Sequence, residues 1–157
     1  MFDRHERSCS YFVNCPGCHQ RILRGSLEGH IASCGACAAG AEGGQIIMYH
    51  GTTHANARSI QKHGFRPSIG GMLGPGVYLS KNKRKADHYG KGGAVLRCRV
   101  SVGRVIKICC SGHPLQQTWH RQGYDTAWVP PNCGMVPSGL EENCVADPGR
   151  IQILESV

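Results

Sequence analysis

Residues 48–65 read MYHGTTHANARSIQKHGF and change character part-way. Ile46, Ile47 and Met48 form a short apolar run that reads as the end of a strand. A helical pattern sets in near Ala55 and lasts to His63. Between them stand Tyr49, His50, Gly51 and two threonines. A histidine beside a glycine sets a hydrogen-bonding ring next to bare backbone, where a strand gives way to a helix. That pair needs a reason, and taken alone it points to none.

The 157-residue chain has room for one ordinary domain, or for a small module and a compact one. It shows no apolar run near about 18 residues and no basic-then-apolar leader, so neither a membrane span nor a signal peptide is expected. The expected location is cytoplasmic and/or nuclear, away from membranes. Ten cysteines with CxxC spacing and no leader favour metal binding in a reducing compartment over a disulfide scaffold. The formal charge of +8 is unevenly spread. Residues 1–45 carry four arginines against four acids, whereas residues 46–157 carry 14 basic and 6 acidic residues. A basic body favours an anionic ligand, whether a phosphate-bearing small molecule or nucleic acid.

Composition divides the chain into residues 1–38, a Gly/Ala-rich linker over 39–45 and a second part over 46–157. In the second part AVLRCRVSV (94–102), GRVIKICC (103–110) and RIQILESV (150–157) read as strands, and Ala55–His63 and Arg84–Tyr89 as helices. The expected class is α+β.

In the first part Cys15-x2-Cys18 fits a tight knuckle, and Ser26 can cap a helix that sets His30 and Cys34 on one face. Two knuckle ligands and two helix ligands make a tetrahedral Zn²⁺ site. The spacing also admits Cys37 in place of His30. The arrangement resembles small C2HC fingers of the TRAF-like and ubiquitin-binding kinds, which bind protein, ubiquitin or nucleic acid.

Further along come GGMLGPGVYLSKNKRKADHYG (70–90), GYDTAWVPPNCG (123–134) and GLEENCVADPGRIQI (139–153). Singly they are bland: a strand tyrosine is usually core, and KNKRK (81–85) reads as an exposed basic face. As an ordered set, YHGT, GPGVYLS with a tyrosine eleven positions after Tyr78, YDT, and a glutamate before a terminal strand resemble the poly(ADP-ribose) polymerase class of ADP-ribosyltransferases. The resemblance covers about 46–157. The 123–145 stretch also resembles a virus- and interferon-induced fish family of the same fold.

The resemblance implies a split mixed β-sheet ADP-ribosyltransferase fold, preceded by the small zinc finger, with NAD as co-substrate. It implies that His50 bonds the adenosine ribose with Thr52 assisting, and that Gly51 offers backbone groups to the carboxamide. Tyr78 and Tyr89 would then sandwich the nicotinamide ring. Glu142 would be the catalytic carboxylate, with Glu141 as the alternative by a one-residue slip. Two departures stand out: Ala86 takes the place of the family's serine, and the loop Arg66–Leu73 is short and Gly-rich. The implied activity is transfer of single ADP-ribose units to a protein or nucleic-acid acceptor, with the finger targeting the enzyme. The alternatives are a silent module that holds NAD, ADP-ribose or RNA, and a tRNA phosphotransferase-like member of the superfamily.

Overall fold

The computed structural model describes residues 12–14, 21–26 and 42–157 of two compact units, Met1–Ala39 and Gly40–Val157. In the first unit β1 (Phe12–Asn14) pairs antiparallel with β2 (Arg21–Leu23), followed by a 3-10 turn at Arg24–Ser26. The expected zinc ligands Cys15, Cys18, His30 and Cys34 lie outside the described residues, as do Cys37 and the expected helix from Leu27. Among the described residues no cluster of His, Cys, Asp or Glu could hold a metal.

The second unit is built on one long strand. After β3 (Glu42–Thr52), α1 (His54–His63), β4 (Val77–Leu79) and α2 (Lys83–Gly90), the chain enters β5 (Ala94–Lys107). The two runs read as separate strands, 94–102 and 103–110, are thus one strand through Lys107. Leu96, Cys98, Val100 and Val102 are buried and pack with Met48, Ala57, Val77, Leu79 and Val145. The alternate residues Arg97 and Arg99 reach Glu155 at 2.9 Å and Gln152 at 3.3 Å on β8 (Ile151–Ser156). Period-two patterning therefore sorts core from solvent along β5, as the sequence implies.

β3 runs antiparallel to β5 and begins at Glu42, inside the stretch read as a linker. Glu42 pairs with Arg104, Gly43 with Gly103 and Gln45 with Ser101. Composition misleads there because a ladder needs only backbone donors and acceptors, which glycine has as fully as any residue.

β6 (Thr126–Val129) joins the end of β5 in parallel, β7 (Glu142–Val145) pairs antiparallel with β6, and β4 with β7. The order is β3-β5-β6-β7-β4, with β8 also on β5. The path then returns to its start. Tyr49 N donates to the Ser80 carbonyl at 2.7 Å and Ser80 N to the Tyr49 carbonyl at 2.9 Å, a single bridge between β3 and the end of β4.

The helices have local causes. Thr53 caps α1 by accepting from Asn56 N, and Gly64 ends it at φ +81°; Asn82 caps α2 through Lys85 N. What lets α2 lie on β3 is Gly51. A Cβ there would sit 1.7 Å from the Ala86 carbonyl oxygen and 3.0 Å from Gly90 N, both backbone atoms of α2. Gly51→Ala is therefore expected to displace α2 and lower stability by about 1–3 kcal/mol, the scale of core overpacking. The measurement is a lower denaturant midpoint at unchanged m value.

Candidate active site

Beside the β3–β4 bridge lies a pocket of about 150 Å³. That is the scale of a cavity that admits one benzene-sized ring. Its lining includes His50 and Gly51 of β3, Tyr78 and Ser80 at β4, Lys85, Ala86 and Tyr89 of α2, and Glu142 of β7. Residues up to 92 positions apart thus meet because three strand ends and one helix converge there.

His50 is held by its ring. Nδ1 lies 2.8 Å from the Tyr78 carbonyl oxygen, which can only accept, so Nδ1 carries the proton and Nε2 is left as an acceptor. Phe65 meets the ring edge-on at 5.0 Å between centroids. Burial pushes the His50 pKa down, opposed by the Tyr78 carbonyl bond, so the imidazole is neutral at pH 7.

Tyr78 stands between Val77 and Leu79, both in the core, and its own side chain leaves that face by alternation. Its phenol donates to the Gly74 carbonyl at 2.6 Å and accepts from Leu73 N at 2.9 Å. Burial, then the neighbouring Cys144 thiol, raise its pKa far above the ordinary tyrosine range, so it remains a neutral wall of the pocket. Tyr89, in contrast, is 63% exposed. Lys85 Nζ lies 5.9 Å from the centre of its ring.

The carboxylates divide their work. Glu141 accepts from the Ser80 hydroxyl at 2.7 Å, from Lys81 N and from the Asn143 amide, so its oxygens tie β4 to β7. Glu142 faces the pocket at 8% exposure and is met by Lys85 Nζ at 2.8 Å. Lys85 is itself 3% exposed and also donates to the Glu141 carbonyl at 2.9 Å. Burial pushes the Glu142 pKa up, while the hydrogen bond and charge of Lys85 pull it down and the nearby Glu141 adds a smaller upward push. The net direction is upward, and Lys85 holds that rise back by supplying a cation and a donor where water is scarce.

The poly(ADP-ribose) polymerase catalytic domain matches residues 17–127 of the chain. The chain belongs to that family. Domains of this family use NAD as substrate and transfer ADP-ribose. The matched span contains His50, Gly51, Tyr78, Lys85 and Tyr89, and it begins ahead of residue 46, where the sequence motifs start. Glu142 lies beyond it and reaches the pocket by pairing with Val129 across β6–β7. None of the curated proteins compared with the chain matches it.

Of the residues singled out in the sequence, His50, Gly51, Tyr78, Tyr89 and Glu142 share the pocket, while Thr52 is not among its lining residues and pairs with Ala94 at the strand end. Glu141 is turned to its three donors, and Glu142 takes the pocket position. Lys85 corrects the reading of 81–85 as an exposed basic face, since it is buried while Lys81, Lys83 and Arg84 are exposed. The signal that could have found it is spacing: Lys85 and Tyr89 stand four apart on α2 and so share a face.

A double-mutant cycle tests the pair. Lys85→Met alone leaves a buried carboxylate without its cation and is expected to cost about 3–5 kcal/mol, whereas adding Glu142→Leu removes the charge and recovers most of it. A double-variant loss equal to the sum of the Lys85→Met and Glu142→Leu single losses would reject the coupling.

Proposed function

We propose that the chain is a mono-ADP-ribosyltransferase whose reaction centre is this pocket. The observation that carries the reading is Glu142, a nearly buried carboxylate met by Lys85 at 2.8 Å in a ring-sized pocket with His50, Gly51 and two tyrosines. The pocket fits a nicotinamide on two counts: its volume is that of one flat ring, and Tyr89 has a ring face free in solvent to close over it. Tyr78 and Tyr89 bind the ring, Gly51 offers its backbone to the carboxamide, and His50 Nε2 accepts from a ribose hydroxyl. NAD, when bound, supplies the nicotinamide–ribose bond, and nicotinamide departs with the bonding electrons. The Glu142 carboxylate stabilises the positive charge that grows on the ribose and orients the acceptor, the role carboxylates have in glycoside cleavage.

Single transfer is favoured over chain growth by the loop that leads into β4. Elongation needs a second site that holds the growing ADP-ribose in attacking position. Past Ser68, which is bridged to Gly76, come the fully exposed Ile69 and two glycines, which offer little to hold it. A second reading, a silent module that retains NAD or ADP-ribose, is favoured by Ala86, which lines the pocket without a hydroxyl for the carboxamide. The absent bond weakens binding by about 1 kcal/mol.

The first unit is proposed as the targeting finger, with Zn²⁺ on Cys15, Cys18, His30 and Cys34, supported by their spacing alone. It would bring protein, ubiquitin or nucleic acid to the enzyme in the cytoplasm or nucleus.

Incubation with labelled NAD, with and without protein or nucleic acid, followed by separation by size, tests the activity. Single units on the acceptor are expected; long ladders overturn single transfer, and no label leaves the silent module. Glu142→Gln is expected to cut turnover by about 10²–10³-fold with the affinity for a non-hydrolysable NAD analogue largely kept. Lys85→Met raises the Glu142 pKa, so the carboxylate forms only at higher pH and the acid limb of the pH–rate profile moves upward; an unmoved limb would separate Lys85 from the reaction.

For the finger, metal analysis of freshly purified protein is expected to find one Zn²⁺ per chain, removable by a chelator with the second unit still folded. Protein with no zinc would exclude the ligand set.

A further inference from the structure

The loop that carries Gly71–Gly74 is fastened by side chains from a segment more than forty residues away. The carbonyl oxygens of Gly71, Met72 and Leu73, three in succession, accept from Gln117 Nε2 at 3.4 Å, Gln116 Nε2 at 2.9 Å and Trp119 Nε1 at 2.7 Å. The Gln116 amide is itself oriented, because Gly112 N donates to its Oε1 at 2.8 Å and so turns Nε2 toward the loop. Leu73 and Trp119 are both completely buried, so this contact is sheltered from water. Gly74, at φ +78°, has no room for a side chain: a Cβ would lie 2.8 Å from the Gln117 carbonyl oxygen.

The fastening bears on the pocket through one residue. Tyr78 walls the pocket, and its phenol is held by Leu73 N and the Gly74 carbonyl, with the Cys144 thiol beside it. Those two groups are in the stretch that Gln116, Gln117 and Trp119 hold. The loop thus has a pinned limb, 71–74, and an exposed tip at Ile69.

We propose that Gln116 and Trp119, with Gln117 as a weaker third, are positioning residues that fix the Tyr78 wall at the width needed for a flat ring. The inference rests on the pocket being the NAD site and adds determinants of affinity that touch no ligand. A glycine-rich segment behind a pocket wall is ordinarily costly to order on binding. Here the order is built in beforehand, so binding is tighter than the loop's composition implies.

Two variants test it in the full chain: Trp119→Phe, which keeps a ring but removes the donor, and Gln116→Met, which keeps the volume. Amide hydrogen exchange at Leu73 is expected to quicken roughly tenfold in each while exchange in β3 and β5 is unchanged, as for a local opening. The Kd for a non-hydrolysable NAD analogue, measured by calorimetry, is expected to weaken roughly tenfold, and KM to rise with kcat within about twofold, since ground-state and transition-state contacts are lost together. A merely structural role would instead lower the folded fraction and kcat, with Kd and KM at wild-type values; that result overturns the proposal, as does unchanged exchange at Leu73. If the wild-type protein binds no NAD analogue, the pocket assignment fails, and the positioning role falls with it even where exchange at Leu73 quickens.

Discussion

The site depends on one missing methyl group. Because Gly51 has no Cβ, the backbone of α2 can rest directly on β3, with the Ala86 carbonyl in the space a side chain would fill. Packing that close brings Lys85, Ala86 and Tyr89 to the mouth of the pocket and sets Lys85 within 2.8 Å of Glu142. Any larger residue would hold α2 off and pull the lysine away from its carboxylate. The glycine of the His-Gly pair is thus needed by the fold itself, whatever ligand also passes it, and one residue type meets both demands.

The second constraint is electrostatic. Glu142 and Lys85 are both nearly buried and meet at 2.8 Å, so each offsets part of the desolvation cost of the other. Such a pair adds little net stability, since desolvation offsets attraction, but it lowers the cost of a carboxylate where water is scarce. Field strength rises as dielectric falls, so the same dryness strengthens the attraction between the two side chains. Glu141 works slightly against this by its charge, but its oxygens are spent on Ser80, Lys81 N and Asn143, so the chain carries two adjacent glutamates with separate duties.

The pocket also lies where the sheet is weakest. The ring of strands is closed by continuous ladders except between β3 and β4, where one bridge and the His50–Tyr78 carbonyl bond make the junction. A full ladder there would fill the gap with backbone pairing and leave no cleft. The histidine therefore spans the opening, and its fixed tautomer follows from the same bond.

Much of this was legible in the chain. Local chemistry marked the apolar run of β3 at 46–48, although the strand runs on to Thr52, together with the two helices and the period-two pattern of β5, because those depend on near neighbours alone. The ordered motifs likewise pointed to His50, Gly51, Tyr78, Tyr89 and Glu142 as one set. The merger of two strand-like runs into β5, the pairing of 42–45, the burial of Lys85 and the division of labour between Glu141 and Glu142 were not legible. Each turns on a partner 50 or more residues away: Glu42 on Arg104, Lys85 on Glu142, and Glu141 on Ser80. A lysine in KNKRK has the same local pattern whether it faces water or a carboxylate, and only the approach of β7 to α2 decides which. The sequence by itself determined the residue types and their order along the chain; tertiary structure decided which charges are buried and paired, because desolvation depends on what surrounds a group in space and not on its neighbours in sequence.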